Sequence, residues 1–516
     1  MQNTSLLSYT PFSRTFLFPL FNMMETSIDL KTLLSAVSVK ALYGTNRHPR
    51  ITNLALHSQQ VRPHGIFFAI PGHIFQGLDY VNEAWTKGAE VIVTETFIPH
   101  FNQVLQVQVA DVRQAVAQMA RVFYQAPDEA LRLTGITGTK GKTTTSWLLQ
   151  FLYQQGLQEK TGLIGTLHND LGQRILPSSR TTPDVLTLIS YLREMVVAKV
   201  SNAVIEVSSQ GIDQKRVYGL QWDTAVFTNL GHDHLDYHHT MEEYFSTKRQ
   251  FFLSPSLRQV VVNVDDPYGR RLIQELPSSV SIVTVGIQQE ADLQATQIRL
   301  DEKGTQFTLR MGKKAWNIQT PLWGSFNVSN ILAALGVLQA QGYDIESVLP
   351  VFSSFPGVPG RLEKVPNTMG ISAFVDFAHT PESLQCVLEV LRACMKKKLY
   401  VVFGCGGNRD RSKRPFMMQV AETYADHVWA TADNPRYESL AQIFQDMRAG
   451  HQQPFKVDFV EDRAEAVHRA LQQCQPGDCI LLAGEGTNEM QEVQGQFYPS
   501  NDRKMIEAYF QAKQKR

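Results

Sequence analysis

A strand, a glycine-rich turn and a helix follow one another in the stretch Leu133-Thr-Gly-Ile-Thr-Gly-Thr-Lys-Gly-Lys-Thr-Thr-Thr-Ser-Trp-Leu-Leu149. The apolar residues Leu131–Ile136 predict a short buried strand, and a helix is predicted from about Lys142. Between them, Gly138 and Gly141 allow the backbone to curl so that successive N–H groups point at one anion. This order predicts an α/β sheet with a ligand-binding turn beyond the carboxyl end of a strand.

The side chains of this turn indicate a nucleoside triphosphate. Lys142 offers a point charge to the outer phosphates, and Thr143 offers a hydroxyl to Mg²⁺. Because five residues separate the outer glycines Gly135 and Gly141, only the later part of the stretch matches the compact P-loop. The residues expected to bind ATP here are Gly138, Thr139, Lys140, Gly141, Lys142, Thr143 and Thr144. The alternative is a structural corner that binds nothing.

Length and charge exclude several classes of protein. The 516 residues exceed what one core supports, so several domains are expected. The 49 basic and 49 acidic residues cancel, which gives no electrostatic reason to expect nucleic acid or an anionic membrane as a partner. No apolar run is long enough to span a bilayer. The five cysteines form no C-x-x-C pair, so zinc and disulfides are not expected, which fits the reducing cytoplasm.

Residues 1–24 are expected to be a disordered extension or to precede the true start of the protein. They contain one arginine and no acidic residue, and Pro19 interrupts their apolar patch. A targeting peptide is the alternative, although no small-residue cleavage site follows.

The rest of the chain predicts an α/β fold of three domains, at residues 25–109, 110–356 and 357–516. The first is a small α/β domain, the second is doubly wound around a mostly parallel sheet, and the third repeats the α/β alternation. In the first domain, the patterns predict helices at Ile28–Val37 and Tyr80–Lys87 and parallel strands at Gly65–Ile70 and Glu90–Thr94. In the second domain, they predict helices at Thr143–Gln155, Pro183–Ala198 and Ser329–Gln341, strands at Asn202–Glu206 and Thr224–Thr228, and antiparallel strands within Ala291–Ile318. In the third domain, they predict strands at Ala373–Asp376, Leu399–Phe403, His427–Ala430 and Cys479–Ala483.

Polar residues follow several of these strands. Glu206 ends an apolar strand beside the phosphate loop, which is the usual position of a second Mg²⁺ ligand. The loop Thr228-Asn-Leu-Gly-His-Asp-His-Leu-Asp-Tyr-His-His239 is rich in His and Asp, and it favours a place beside Mg-bound phosphates. Zinc and a solvated loop are the alternatives, and zinc is disfavoured because cysteine and the usual ligand spacing are absent.

A lysine on a predicted helix also draws attention. Lys248 shares one face with Tyr244 and with Phe251 or Phe252, and burying a free ammonium group there would be costly. A side chain that reaches out to water is the alternative.

Amide and basic side chains complete the pattern. Asn327 and Asn330 could contact a purine edge, with helix capping as the alternative for Asn327. The basic segment Gly404–Pro415 suits an anionic substrate. Asp433 and Arg436 could hold the ammonium and carboxylate groups of an amino acid, although Asp-Asn-Pro turns are common.

Taken together, these segments resemble the Mur ligase family. The resemblance runs from about residue 28 to the C-terminus and is carried by the following motifs: Thr137-Gly-Thr-Lys-Gly-Lys-Thr-Thr-Thr145, Thr181-Thr-Pro183, Glu206-Val-Ser-Ser209, Asp233-His-Leu-Asp-Tyr-His238, Tyr244 with Lys248, Gly324-Ser-Phe-Asn327, Pro359-Gly-Arg-Leu-Glu363, Val375-Asp-Phe-Ala-His-Thr-Pro381, Gly404-Cys-Gly-Gly407 and Asp433-Asn-Pro-Arg436. It implies a UDP-binding N-terminal domain, a central ATPase domain and a Rossmann-like C-terminal domain.

The resemblance also implies a reaction and its cofactors. ATP would phosphorylate the γ-carboxylate of UDP-N-acetylmuramoyl-L-alanyl-D-glutamate, and the amine of meso-diaminopimelate would attack the acyl phosphate. Two magnesium ions are expected near Thr143, Glu206 and His234, with Lys248 as a CO₂-derived carbamate that binds metal. Lys142, Lys248, His234 and Glu206 are the expected catalytic residues. The partners would be small molecules only, and a monomer is expected.

The remaining implied residues fall into three groups. For ATP they are Asn327, Asn330, Arg361 and Asp376, in addition to the phosphate loop. For the UDP substrate they are Ser58, Thr181, Thr182, Ser208, Gln214 and Arg216. For the amino acid they are Arg409, Asp433, Asn434, Pro435, Arg436, Gly484 and Asn488.

Three segments depart from the family pattern. Gly484-Glu-Gly-Thr-Asn488 replaces Gly-Lys-Gly-His-Glu, so Asn488 stands where a glutamate would receive the distal ammonium group of diaminopimelate. His57-Ser-Gln59 replaces Asp-Ser-Arg, and Arg180 stands where Asn is frequent. L-lysine or another diamino acid is therefore an alternative substrate, and a P-loop regulatory ATPase without ligation is an alternative class.

Overall fold

The computed structural model describes residues 27–44, 49–72, 76–99, 101–301 and 303–514. The chain divides into two compact units, one ending at Phe123 and the other beginning at Tyr124. The extension expected at residues 1–24 lies outside the described residues, and the three domain boundaries stay predictions. Over the described ranges, no helix is both long enough and apolar enough to cross a membrane.

A five-stranded sheet organises the first unit, in the order β2-β7-β6-β5-β4. The elements of this unit are β1 (Ile28–Asp29), α1 (Leu30–Leu34), β2 (Val39–Tyr43), β3 (Arg50–Ile51), β4 (Asn53–Ala55), β5 (Gly65–Phe68), α2 (Val81–Thr86), β6 (Ala89–Thr94), β7 (Leu105–Val109) and α3 (Val112–Phe123). Strands β5 and β6 pair in parallel, as predicted.

The helix predicted over residues 28–37 is wrong in extent. Ile28 and Asp29 pair with β3 instead, and the side chain of Asp29 accepts a hydrogen bond from the Lys31 N–H and caps a helix of five residues. A strand pairing with distant residues therefore replaces the first helical turn.

An eleven-stranded sheet forms the core of the second unit, in the order β11-β10-β9-β12-β8-β13-β14-β15-β16-β17-β18. Its elements are β8 (Arg132–Thr137), α4 (Lys142–Phe151), β9 (Thr161–Ile164), β10 (His168–Asp170), β11 (Ile175–Pro177), α5 (Val185–Val197), β12 (Asn202–Glu206), α6 (Ser209–Asp213), β13 (Thr224–Phe227), α7 (Leu235–His238), α8 (Met241–Phe252), β14 (Gln259–Asn263), α9 (Pro267–Glu275), β15 (Ser281–Gly286), β16 (Leu293–Asp301), β17 (Gly304–Met311), β18 (Lys314–Thr320) and α10 (Ser325–Ala340). The six neighbouring strands β9, β12, β8, β13, β14 and β15 run parallel, β10 and β11 pair antiparallel beside β9, and β16 to β18 form the predicted antiparallel meander.

Two helices of this unit, α4 and α10, depart from the predicted bounds by four residues at one end. Helix α4 ends at Phe151 and continues as a π-helical turn to Gly156, so the predicted α-helix to Gln155 is too long. Helix α10 begins at Ser325, four residues earlier than predicted, with Gly324 as its N-cap. Asn327 therefore lies inside the helix, and the capping alternative for Asn327 is wrong.

A second, six-stranded sheet follows in the same unit, in the order β19-β20-β24-β21-β22-β23. Its elements, with a terminal hairpin, are β19 (Glu363–Val365), β20 (Ser372–Asp376), α11 (Pro381–Cys394), β21 (Leu399–Phe403), α12 (Lys413–Tyr424), β22 (His427–Thr431), α13 (Leu440–Arg448), β23 (Val457–Val460), α14 (Arg463–Gln473), β24 (Cys479–Ala483), β25 (Met490–Val493), β26 (Gln496–Pro499) and α15 (Asp502–Gln514). Strands β20 to β23 are parallel, so the segments that follow β21, β22 and β24 meet at one edge. The α/β architecture, with a mostly parallel central sheet, is confirmed.

Candidate functional site

The phosphate loop lies between the end of β8 and the start of α4. Gly138 and Gly141 have φ angles of 145° and 86°, a backbone region that side chains disfavour. A Cβ atom on Gly138 would lie 2.0 Å from the Thr228 hydroxyl oxygen, so only glycine fits there. The backbone of this turn is thus held in a curled form, with the N-terminus of α4 behind it.

The loop after β13 supports the phosphate loop from the side. Asn229 accepts from the Lys140 N–H at 2.9 Å, and the Thr228 hydroxyl donates to the Lys140 carbonyl at 2.7 Å. The Lys140 ammonium group pairs with Asp233 at 3.0 Å. Although burial opposes it, Lys140 lowers the pKa of Asp233 below its ordinary value, so this carboxylate is ionised at neutral pH.

Lys142 is folded back onto its own loop. Its Nζ donates to the carbonyls of Gly138 at 2.8 Å and Thr139 at 3.0 Å. Burial lowers the pKa of this amine to about 8, although the charge of Glu206 opposes the shift. The amine therefore lies among the same backbone groups that are expected to receive phosphates.

Glu206 is fully buried at the end of β12, the parallel neighbour of β8. Its Oε2 accepts from the Thr143 hydroxyl at 2.9 Å and from the Thr166 hydroxyl at 2.7 Å. Sequence reasoning missed Thr166, which follows β9 at the same edge of the sheet. A rule that takes the first polar residue after every parallel strand would have found it.

The residues present fit a hard cation such as Mg²⁺. A buried carboxylate and two hydroxyls are oxygen donors, and Mg²⁺ is commonly held by one or two such groups together with substrate phosphates. Among the described residues, no group of three His, Cys, Asp or Glu side chains is arranged to hold a metal ion.

Lys248 lies in the interior, on α8, with 1% of its surface exposed. Its Nζ is 3.1 Å from the Gly138 carbonyl and 3.3 Å from the Thr137 hydroxyl, and it lies 4.7 Å from the centre of the Tyr244 ring. No ion pair of the described residues includes it. Burial, with Lys142 nearby, lowers the pKa of this amine well below its ordinary value. The alternative of a side chain that reaches water is wrong.

Histidines of the loop after β13 pack around Tyr244. The His238 ring stacks on Tyr244 and its Nε2 lies 2.8 Å from the Ser209 hydroxyl. His234 has a left-handed backbone with φ of 57°, and burial lowers the pKa of its ring although Asp233 opposes the shift. Its imidazole is thereby favoured in the neutral form, which can bind a metal ion.

A cluster of polar side chains lies at the carboxyl end of β12 and in the segment that follows it. The Thr182 hydroxyl donates to the Glu206 carbonyl at 2.8 Å, and Arg216 donates to the Thr182 carbonyl at 2.7 Å. Ser208 and Gln214 join this cluster at 3.1 Å and 2.7 Å from Thr182 and Arg216. Thr181 contacts Thr166, 3.1 Å away. The structure therefore brings together five of the six residues expected to bind the UDP substrate.

Ser58, the sixth of these residues, belongs to the first unit. It is buried, and its hydroxyl donates to Glu83 at 2.6 Å.

Asn327 and Asn330 are buried beside the phosphate loop. Asn330 donates to the Asn327 side-chain oxygen at 3.1 Å, and Asn327 donates to the Trp323 carbonyl at 2.9 Å. A Cβ atom on Gly141 would lie 2.3 Å from Asn330. Asn330 thus borders the loop, and Asn327 is hydrogen-bonded to Asn330 from behind.

Arg361 and Asp376 lie at the start of the six-stranded sheet. Arg361 covers the Phe377 ring at 4.7 Å, and burial lowers the pKa of its guanidinium although Asp376 opposes the shift. Asp376 accepts from the N–H groups of Leu362 at 2.6 Å and Ala378 at 2.7 Å. In this conformation Asp376 supports the turn that carries Arg361.

Three loops meet at the carboxyl ends of β21, β22 and β24. The Gly407 N–H donates to the Asn434 carbonyl at 2.8 Å, and a Cβ atom on Gly484 would lie 2.8 Å from the Asp433 carboxylate. A Cβ atom on Gly407 would lie 1.8 Å from the Pro435 carbonyl oxygen. The segments expected to bind an amino acid are therefore adjacent, and Asn488 lies beside them.

Arg436 contacts both this edge and the terminal hairpin. Its Nη1 donates to the Gly407 carbonyl at 2.8 Å, and its Nε lies 3.5 Å from Glu492 on β25. Glu492, which sequence reasoning missed, forms an ion pair with this guanidinium, as the carboxylate of a ligand would. Arg409 is exposed on the loop after β21.

Comparisons with known proteins agree along most of the chain. Residues 136–338 match the family model of the Mur ligase middle domain, residues 360–486 that of the Mur ligase glutamate ligase domain, and residues 50–124 that of the Mur ligase family catalytic domain. Proteins of Geobacillus kaustophilus and Listeria monocytogenes named UDP-N-acetylmuramoyl-L-alanyl-D-glutamate–2,6-diaminopimelate ligase are 40% and 38% identical over 469 and 460 residues. These alignments cover 89% and 88% of this chain and 95% and 93% of the relatives.

Solved structures give the same picture. A structure of a UDP-N-acetylmuramoyl-L-alanyl-D-glutamate–2,6-diaminopimelate ligase superimposes with a TM-score of 0.70 at 31% identity, covering 95% of this chain and 99% of the other. A MurF ligase of Thermotoga maritima in complex with ADP superimposes with a TM-score of 0.62 at 21% identity, covering 90% and 98%, and this likeness concerns the fold alone.

Proposed function

This chain belongs to the Mur ligase family, and from that membership we propose that it is an ATP-dependent ligase that joins meso-2,6-diaminopimelate to UDP-N-acetylmuramoyl-L-alanyl-D-glutamate in peptidoglycan synthesis. The observation that carries this proposal is a pair of sites in one unit. A phosphate loop with a buried carboxylate lies at one sheet, and Asp433 to Arg436 lie at the edge of another.

The first step is the transfer of the γ-phosphate of ATP to the D-glutamate γ-carboxylate, which yields an acyl phosphate and ADP. The curled backbone at Gly138 to Gly141 would offer N–H groups to the phosphates. The Lys142 ammonium group would leave the carbonyls of Gly138 and Thr139 and pair with the negative charge of the phosphates. Asn330 borders the loop and is hydrogen-bonded to Asn327, and both amides would contact the nucleotide base. Arg361 would approach the same nucleotide from the C-terminal sheet.

Thr143, Glu206 and His234 would hold two magnesium ions together with the phosphates. Bound magnesium would neutralise charge that develops on the transferred phosphoryl group. Glu206 now accepts hydrogen bonds from the Thr143 and Thr166 hydroxyls. It would give up these hydrogen bonds when its carboxylate binds magnesium.

Lys248 would act as a carbamate. A buried amine without a carboxylate partner is favoured in the neutral form, and a neutral amine is the form that attacks CO₂. The nitrogen forms a bond to carbon and releases a proton, which leaves an anion with two oxygens in place of a cation. That anion would suit the metal-binding side of the phosphate loop, where the Lys248 amine lies.

The second step is the attack of the incoming amine on the acyl phosphate. It gives a tetrahedral intermediate, which expels phosphate and leaves an amide. Thr181, Thr182, Ser208, Gln214 and Arg216 would hold the UDP-linked dipeptide. Ser58, in the first unit, stays a separate prediction for the same substrate. Arg409, Asp433, Asn434, Pro435, Arg436, Gly484 and Asn488 would hold the amino acid that supplies the amine.

Replacing Arg436 by alanine should raise the KM for meso-diaminopimelate about tenfold or more, because a charge-assisted bond to its distal carboxylate is lost. The KM for ATP should change little. Arg392→Ala is the control, because Arg392 pairs with Asp426 on the same domain and touches none of the proposed ligands. Equal effects of Arg436→Ala on both KM values would remove Arg436 from the amino-acid site.

The proposal is tested by ligation with meso-diaminopimelate, L-lysine and L-ornithine side by side. Only meso-diaminopimelate should give rapid product formation, and phosphate release should require both the UDP-linked dipeptide and the amino acid. Faster use of L-lysine would change the assigned substrate. Phosphate release indifferent to both substrates would favour a regulatory ATPase instead.

We further propose that the enzyme acts as a monomer in the cytoplasm. Its proposed substrates are small molecules, and all five cysteines are free thiols. Sedimentation at working concentration tests the first point.

A further inference from the structure

A short turn after β9 closes over the buried carboxylate of Glu206. Gly165 lies so close to it that a Cβ atom on this glycine would be 2.2 Å from Glu206 Oε1. The next residue, Thr166, holds both carboxylate oxygens, because its N–H donates to Oε1 at 3.1 Å and its hydroxyl donates to Oε2 at 2.7 Å. Glu206 has no exposed surface, whereas Thr166 is partly exposed. One residue thus fixes the carboxylate that is expected to bind magnesium.

The Thr166 hydroxyl also contacts the hydroxyl of Thr181, with 3.1 Å between the two oxygens. A hydroxyl group has one proton to donate, and a carboxylate only accepts. The Thr166 proton is therefore committed to Glu206, so the Thr181 hydroxyl donates to the Thr166 oxygen. In this state both hydroxyl protons point inward along the chain from Thr181 to Glu206. Thr181, which is partly exposed, is left with only lone pairs to offer a ligand.

The neighbouring Thr182 is held by a separate route. Its hydroxyl donates to the backbone carbonyl of Glu206 at 2.8 Å and accepts from the Ser208 N–H at 3.0 Å. These bonds involve main-chain groups, so they do not depend on the state of the Glu206 carboxylate. Among the described residues, Thr166 is the one whose side chain is hydrogen-bonded both to that carboxylate and to Thr181. The direct hydrogen-bonded path between the two therefore passes through the Thr166 hydroxyl.

We infer that Thr166 is a positioning residue that couples the magnesium site to the site of the UDP-linked dipeptide by reversing the direction of its hydroxyl proton. The inference rests on the proposed ligase function and deepens it. When Glu206 turns the lone pairs of Oε2 to magnesium, the Thr166 hydroxyl loses its acceptor and donates to Thr181 instead. Thr181 then directs its own proton outward. The dipeptide substrate carries carboxylates and a diphosphate, and a donor binds such an anion better than lone pairs do.

Equilibrium binding of UDP-N-acetylmuramoyl-L-alanyl-D-glutamate, measured by calorimetry without turnover, tests this coupling. In the wild type, the magnesium complex of a non-hydrolysable ATP analogue should lower the Kd for the dipeptide about tenfold, the effect of one charge-assisted hydrogen bond. The same analogue with EDTA in place of magnesium should leave the Kd unchanged. Thr166→Val keeps the shape and the N–H bond but has no hydroxyl, so the Thr181 proton is free in both states. Its Kd without nucleotide should already be within about twofold of the lower wild-type value, and the magnesium complex should change it less than about twofold.

Three further variants separate coupling from structural support. Thr166→Ser retains the hydroxyl and should keep the wild-type response to the magnesium complex, whereas Thr181→Val has no proton to turn outward and should bind weakly with or without it. Thr423→Val is the matched control, because its hydroxyl donates to the Gln419 carbonyl of its own helix. A wild-type response that persists in Thr166→Val, or weaker binding by this variant under both conditions, would overturn the inference. A wild-type Kd that does not respond to the magnesium complex would do the same, whereas wild-type protein that binds no dipeptide at all would overturn the proposed function.

Discussion

Replacing Lys248 by methionine should lower kcat for ligation a hundredfold or more, because the variant keeps the length of the side chain and cannot form a carbamate. The Lys248 side chain is only 1% exposed, no carboxylate of the described residues lies within ion-pair distance of it, and its amine contacts the Gly138 carbonyl of the phosphate loop. An aliphatic side chain should fill the same space beside Tyr244. The loss should therefore be one of chemistry and leave the fold intact.

The response to bicarbonate distinguishes a carbamate role of Lys248 from a role in packing alone. Wild-type activity should fall in buffer depleted of CO₂ and return when bicarbonate is added, whereas Lys248→Met should not respond. Isotopically labelled bicarbonate should give a carbamate carbon signal by NMR in the wild type alone. The control is Lys504→Ala, which removes an amine from an exposed ion pair with Glu489. Full ligation by Lys248→Met would show that the amine takes no part.

Replacing Arg463 by alanine should destabilise the protein by about 3–5 kcal/mol, the cost of leaving a buried charge without its partner. Arg463 is 3% exposed, and it donates twice to Asp502, which is fully buried. It also donates to the carbonyls of Ala432 and Ala483, at the ends of β22 and β24. Its loss would leave Asp502 unpaired and would remove the bonds that tie these strand ends together.

The same helix supplies a matched control. Arg469 pairs with Glu465 at 2.7 Å, but the two side chains are 56% and 48% exposed. Arg469→Ala should therefore cost no more than about 0.5 kcal/mol. The free energy of unfolding of each variant is measured by chemical denaturation. If the two variants differ by less than about 1 kcal/mol, the buried pair does not carry the stability assigned to it.

Local patterns predicted the surroundings of the phosphate loop. The turn between β8 and α4 needs glycines for steric reasons, and such needs are visible in a single sequence. Glu206 could be placed because an apolar run ends at it. Helical spacing placed Lys248 on a partly apolar face but left open a side chain that reaches water, and the structure buries it. The roles of these residues remain predictions, although the structure brings them to one edge of the sheet.

Contacts between distant segments escaped prediction. Thr166 meets Glu206 because β9 lies beside β12, and this strand order is a property of the folded sheet. The buried carboxylate of Glu485 accepts a hydrogen bond from Asn434, which is 51 residues away in the chain. Helix α1 was overestimated because the pairing of Ile28 with Ile51 outweighs local helical preference. Sequence periodicity records which faces are apolar, but it does not record which segments become neighbours.

The folded-back position of Lys142 has a consequence for nucleotide exchange. The lysine already donates to two loop carbonyls, so an arriving triphosphate replaces hydrogen bonds instead of adding them to an unsatisfied group. When the diphosphate leaves, these carbonyls can accept the ammonium group again, so the lysine is not left without hydrogen-bond partners. A loop that can satisfy its own lysine is thus suited to rapid turnover more than to tight retention of the nucleotide.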